Sequence, residues 1–243
     1  MKRYFSMIAI LFAMNIAMLA QDDITSSIEV EDTIADDYKL PFLEQKRVTE
    51  FMGIPIDGTK RDVMKQLRKK GFRRSFTMSG LLEGEFNGHK VYVSVATNKN
   101  KVWRIMLLDA VAIDESSIKN RFNNLCYQFK SNSKYDPLKN IDNFIIPDDE
   151  NISYNMIVNN KRYEASFCQC LDFNPDFLRY MYKNEDKMTE EDINKRRSMA
   201  SKYWNYLVYN HVWFIIHKEE YKPEYRIVMY YDNGYNQPDG EDL

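Results

Sequence analysis

Apolar residues early in the chain keep a helical spacing and then switch to alternation. Val63, Met64 and Leu67 form a stripe that follows an Asp57-Gly58 turn; Thr59 is the candidate N-cap, with Asp62 at the third helical position. The predicted helix also has a clear end. Lys65, Arg68, Lys69 and Lys70 crowd its last turns, where positive charge complements the helix dipole. Gly71 suits the left-handed position beyond the end, which lets Phe72 fold back on Leu67. This reading makes the basic run a matter of capping and solvation, with an anion site as the alternative.

Asn87-Gly88 then predicts a hairpin, because a type I′ turn needs positive φ at both central residues. The register follows: Phe86 faces His89, Gly84 faces Val91, and Leu82 faces Val93. Leu82, Phe86, Val91, Val93 and Val95 share a core face, and Glu83, Glu85, Lys90, Tyr92 and Ser94 take the other, polar one. A strand over Val102 to Asp109 continues the apolar set through Trp103, Ile105 and Leu107, with Arg104 pointing away.

A second unit repeats this order more loosely. Asp114 is the N-cap of a helix whose apolar residues Ile118, Phe122, Leu125, Cys126 and Phe129 recur at i, i+4, i+7, i+8 and i+11. Alternation from Ile152 to Gln169 predicts a hairpin turning at Asn159-Asn160, with Tyr163, Ala165 and Phe167 inward and Arg162, Glu164, Ser166 and Cys168 outward. Asn174-Pro175 and Thr189 with Asp192 read as starts of two short helices in a charged insertion. Strands at Val208 to His217 and Tyr225 to Tyr231 complete the unit, with Val212, Phe214 and Ile216 inward. The expected fold class is α+β: two helix-plus-antiparallel-strand units forming one sheet with helices on one face.

The termini add an address. Lys2 and Arg3 precede an apolar run from Tyr4 to Leu19, and Ala20 is a plausible cleavage point, so residues 1–20 read as a signal peptide. Residues 21–39 are an acidic tether, 40–110 the first unit, 111–233 the second with its insertion at 171–203, and 234–243 a polar, frayed tail. The expected location is periplasmic or secreted, with no membrane span in the mature chain.

Composition narrows the chemistry. Of 243 residues, 44% are hydrophobic and 29% charged, and the net charge of -2 gives no overall field for nucleic acid or an anionic membrane; a polyanion partner would need a local patch, and none is read in the sequence. Cys126, Cys168 and Cys170 are too few for a disulfide framework, and Cys168 and Cys170 read as two structural thiols. His211 and His217 would lie roughly 20 Å apart on one strand, too far to share a metal. No phosphate-cradling loop or nucleophile elbow occurs, and no cofactor is implied. Asn151-Ile152-Ser153 matches a glycosylation sequon, which matters only in a eukaryotic secretory pathway.

With helices on one side only, Tyr92, Arg104, Arg162, Glu164 and Trp213 would line the opposite face. Exposed Tyr, Trp and Arg are the usual anchors of protein interfaces. The expectation is therefore a non-enzymatic binding protein that presents this face to a protein or peptide. The alternatives are a cell-wall or polysaccharide hydrolase with 171–203 as its lid, and a structural envelope component. GIPIDGT, KKGF, FNGHKVYVSV, KVWRI and the later KRYEASF resemble a family of uncharacterised exported proteins of gut anaerobic Gram-negative bacteria. The helix-then-strands order, repeated, resembles the β-lactamase-inhibitor-protein fold, which outer-membrane assembly lipoproteins share. That resemblance implies a binding role and carries over no site residue, and the chain lacks the lipoproteins' lipid-attachment cysteine.

Overall fold

The structure, a computed structural model, describes residues 47–169, 188–238 and 240, without the side chains of 202–208. The chain opens with a small hairpin, β1 (Glu50–Phe51) and β2 (Ile54–Pro55), followed by α1 (Lys60–Lys69). Four strands follow: β3 (Arg73–Arg74), β4 (Leu82–Phe86), β5 (His89–Asn98) and β6 (Lys101–Asp109). The second unit begins with α2 (Glu115–Ser131), β7 (Tyr135–Pro137), α3 (Ile152–Val158) and β8 (Glu164–Gln169). It ends with α4 (Glu190–Tyr209), β9 (His211–Lys218) and β10 (Tyr225–Asp232).

The fold is α+β, built on an eight-stranded antiparallel sheet in the order β3-β4-β5-β6-β10-β9-β8-β7. This order is two four-stranded runs, one per unit, set last strand to last strand. No turn joins β6 to β10; they meet through the register Tyr230 to Met106 and Val228 to Leu108. Both units contribute to one core, in which α1 buries Val63 and Leu67, and α2 buries Ile118, Phe122, Leu125 and Cys126.

Local chemistry explains the helix ends. Thr59 caps α1: its Oγ1 accepts from the Asp62 amide at 3.2 Å and donates to the Asp62 carboxylate at 2.7 Å. Asp114 accepts from the Ser117 amide at 3.0 Å, and Ser117 holds its carboxyl below the usual range. Gly71 takes φ +99, and the Phe72 amide returns to the Leu67 carbonyl at 3.2 Å. The Asn87-Gly88 hairpin forms in the expected register, including Glu85 opposite Lys90.

Several expectations are corrected. Ile152 to Val158 is a helix, not a hairpin strand. The Asn151 side chain caps it by accepting from the Tyr154 amide at 2.8 Å, and the Ile152 amide donates to Glu115 at 2.8 Å. Ile152 and Met156, four apart, face the core, whereas Tyr154 and Val158 are exposed. The alternation was real, but a capped N-terminus and an i,i+4 inner pair decided the outcome. Pro137 ends the edge strand β7, where a missing donor does no harm.

The helix expected to be short at Thr189 is the 20-residue α4, so β9 starts at His211 instead of Val208. Asn174-Pro175 and Cys170 lie outside the described residues. The start of the tail is anchored, not frayed. Asn233 donates to the Ile56 carbonyl at 2.7 Å, and Asn236 to Asp57 at 2.8 Å and to the Val102 carbonyl at 2.9 Å.

Candidate binding face of the sheet

Register alone assembles the face opposite α1 to α3 in three rows. Ser94, Met106, Tyr230, Trp213 and Ser166 lie side by side across β5, β6, β10, β9 and β8. One step away run Tyr92, Leu108, Val228, Ile215 and Glu164. On the other side Ala96, Arg104 and Asp232 are aligned, as are His211, Cys168 and Asp136.

Four of the five expected residues, Tyr92, Arg104, Glu164 and Trp213, therefore belong to one face, though not to one site, and Arg162 precedes β8, outside the register. Tyr92 on β5 and Glu164 on β8 are four strand spacings apart, about 19 Å. Arg162 and Glu164 form an exposed ion pair at 3.2 Å, and such a pair contributes little to stability. Tyr92, half-buried, has its hydroxyl 2.9 Å from Thr77 Oγ1.

Arg104 and Trp213 are joined within the chain itself. Arg104 Nε and Nη2 donate to the two Asp232 oxygens at 2.6 and 2.7 Å, and Trp213 Nε1 donates to Asp232 Oδ2 at 2.9 Å. The guanidinium lies 4.3 Å from the Trp103 ring centre, 4.8 Å from Tyr230 and 5.5 Å from Trp213. Trp213 and Tyr230 stack at 4.1 Å. Cation and rings thus satisfy one another, and the cluster is a rigid wall of the face. Trp103 was expected in the core. A bulge between Ala96 and Thr97 instead brings Val102 inward, fully buried, and leaves Trp103 beneath Arg104. Replacing Asp232 with asparagine should cost about 2 kcal/mol, the scale of a hydrogen bond to a charged group. Chemical denaturation should show this as a lower midpoint, with tryptophan emission altered before unfolding.

Two further features bear on chemistry. Burial holds the His211 imidazole below its usual value, with Asp232 opposing that shift, and His211 Nε2 is buried with no hydrogen-bond partner among the described residues. Cys168, its neighbour across the ladder, is fully buried and directs its thiol to the Asp136 carbonyl at 3.7 Å. Burial pushes the Cys126 thiol up to about 12, as befits a core residue. Among the described residues, no group of three His, Cys, Asp or Glu converges on a metal position.

The middle of the face is not the polar surface expected. A hollow of about 510 Å³ has Met106, Leu108 and Val228 as floor, Tyr92 and Tyr230 as sides, and Met78 at its rim. At one end Arg226 Nε binds Glu219 at 2.6 Å, and its Nη1 binds the Asp109 and Ala110 carbonyls at 3.0 and 2.9 Å. Met106, Leu108 and Val228 were missed because only one face of each strand was assigned to the interior. The signal was present: Ile105-Met106-Leu107-Leu108 and Ile227-Val228-Met229-Tyr230 are apolar at every position, the mark of a strand with two apolar faces.

A larger hollow, about 1340 Å³, opens on the helix side between the β1–β2 hairpin, the Asn87 turn and the end of α2. Asn87 bridges its walls by donating to Gln128 at 2.7 Å, and the Gln169 amide group is hydrogen-bonded to both the amide and the carbonyl of Glu50. Its lining includes Arg47 and Gln169, which border positions outside the described residues. Comparison of the chain with family models, curated proteins and solved structures finds no match.

Proposed function

We propose that this chain is an exported, non-enzymatic binding protein whose second sheet face receives an apolar segment of a protein or peptide. The observation that carries the reading is the half-buried apolar middle of that face, Met106, Leu108, Ile215 and Tyr230, on the side that α1 to α3 leave uncovered. Apolar floor, aromatic sides and a polar end formed by Arg226 and Glu219 are the composition of an interface core with its rim. The Arg104–Asp232–Trp213 wall gives this face a fixed shape before any partner arrives, which lowers the ordering cost of binding. Export rests on the leader pattern of residues 1–20, and the resemblance to exported proteins of gut anaerobic Gram-negative bacteria agrees with it.

A hydrolase reading needs converging carboxylates. Among the described residues, the one carboxylate lining the sheet hollow is Glu219, already held by Arg226, so that hollow lends the reading no support. Photo-cross-linking tests the binding proposal. With p-benzoylphenylalanine at Tyr92 or Met106, one defined adduct is expected in envelope or culture fractions; at Tyr127, exposed on α2, none is expected. Adducts from Tyr127 but not from the sheet positions would overturn the proposal.

A further inference from the structure

The sheet-face reading leaves one surface unused, the edge formed by α1, β3 and the loop that follows. Between Lys60 and Arg74 the chain carries eight Lys and Arg residues and one acid, Asp62, which is engaged by the Thr59 cap. All eight basic residues are exposed. None forms an ion pair with a described residue; even Arg73, opposite Glu83 in the ladder, does not. The sequence favours capping and solvation over an anion site here, because helix and loop come together only in the fold.

Two observations point beyond solvation. Phe76, two residues after Arg74, is 99% exposed, more than any other large apolar side chain described. Next to it in sequence, Ser75 joins Arg68, Arg74, Ser79, Gly80 and Met64 in lining a hollow of about 330 Å³, so an arginine of α1 and one of β3 border the same small concavity. The Ser75 hydroxyl there already accepts from the Thr77 and Met78 amides at 3.2 and 3.1 Å, which sets the loop's shape.

Two arginines bordering one small hollow carry the side chain that suits the oxygens of a phosphate group. A soluble polyanion would satisfy the cations and leave Phe76 in water. A lipid surface satisfies both: anionic headgroups meet the basic edge, and the ring enters the boundary between headgroups and acyl chains. We propose that the α1 edge docks on an anionic membrane surface, with Phe76 inserted and Arg68 and Arg74 taking a lipid phosphate.

The test is vesicle sedimentation with residues 21–243, which contain every described element but not the apolar leader. Vesicles of phosphatidylcholine and phosphatidylglycerol in equal parts should carry the protein down, vesicles of phosphatidylcholine alone should not, and added salt should release it. Arg68→Gln with Arg74→Gln should weaken partition about thirtyfold, since each charge near the surface is worth about fivefold. Phe76→Ser should weaken it about tenfold. All these positions are exposed, so thermal melts should not change. No sedimentation, or equal sedimentation with both vesicles, overturns the proposal. So does heparin binding as tight as vesicle binding and unaffected by Phe76→Ser, which would assign the edge to soluble polyanions.

Discussion

Replacing Arg121 with methionine is expected to lower the unfolding free energy by about 3–5 kcal/mol, the cost of leaving one member of a buried ion pair alone. Arg121, on α2, donates through Nε and Nη2 to the two Asp109 oxygens, both at 2.6 Å. The side chains are only 8% and 7% exposed. Asp109 ends β6 and also accepts the Ile227 amide of β10 at 3.2 Å, so this carboxylate binds α2 to the junction of the two units. Without Arg121 the charge stays at the seam with one weak donor. Urea titration should show a lower midpoint with little change in slope. The double change Arg121→Met, Asp109→Leu should recover much of the loss, because an apolar pair of similar volume needs no counter-charge.

Phe214→Ala should be comparably severe, about 3–5 kcal/mol, through lost burial and the cavity left behind. Phe214 is fully buried on β9, with ring centres of Phe122, Phe129 and Phe167 at 5.2, 5.6 and 6.0 Å. It therefore joins α2 to β8 and β9 at the centre of the second unit. Calorimetry should show a drop of several degrees in melting temperature. Phe76→Ser, which removes a ring of similar size, should leave that temperature within experimental error because Phe76 has almost no packing to lose.

The contrast between these residues shows what the sequence could disclose. Wherever local chemistry decides structure, it was legible. Asn87-Gly88 set a register from turn geometry alone, Thr59 and Asp114 marked helix starts, and Gly71 marked an end. The meeting of β6 with β10 was not legible, since their pairing spans over a hundred residues with no turn between them. Asn151 to Asn160 misled because alternation and an i,i+4 pair coexist in so short a run, and the cap decided it.

The candidate site was legible in direction and not in character. Tyr92, Arg104, Glu164 and Trp213 share the face opposite α1 to α3, whereas Arg162 lies just before β8, outside the ladder. Their partners were hidden, because Asp232 reaches Arg104 and Trp213 only through the β6–β10–β9 neighbourhood. The bulge at Ala96 and Thr97, which moves Trp103 from core to wall, has no marker such as glycine or proline. The apolar floor of Met106, Leu108 and Val228 was within reach, since strands apolar on both faces are visible in the sequence itself.

The central claim is that binding occurs at this floor. Its most direct test compares p-benzoylphenylalanine at Tyr92 in the otherwise native chain and in the same chain carrying Met106→Arg. The charge would sit in the middle of the hollow, beside Tyr230 across the ladder and away from the core. The adduct should form in the first chain and disappear in the second while the melting temperature holds. An adduct of equal yield in both would place binding elsewhere and contradict the claim.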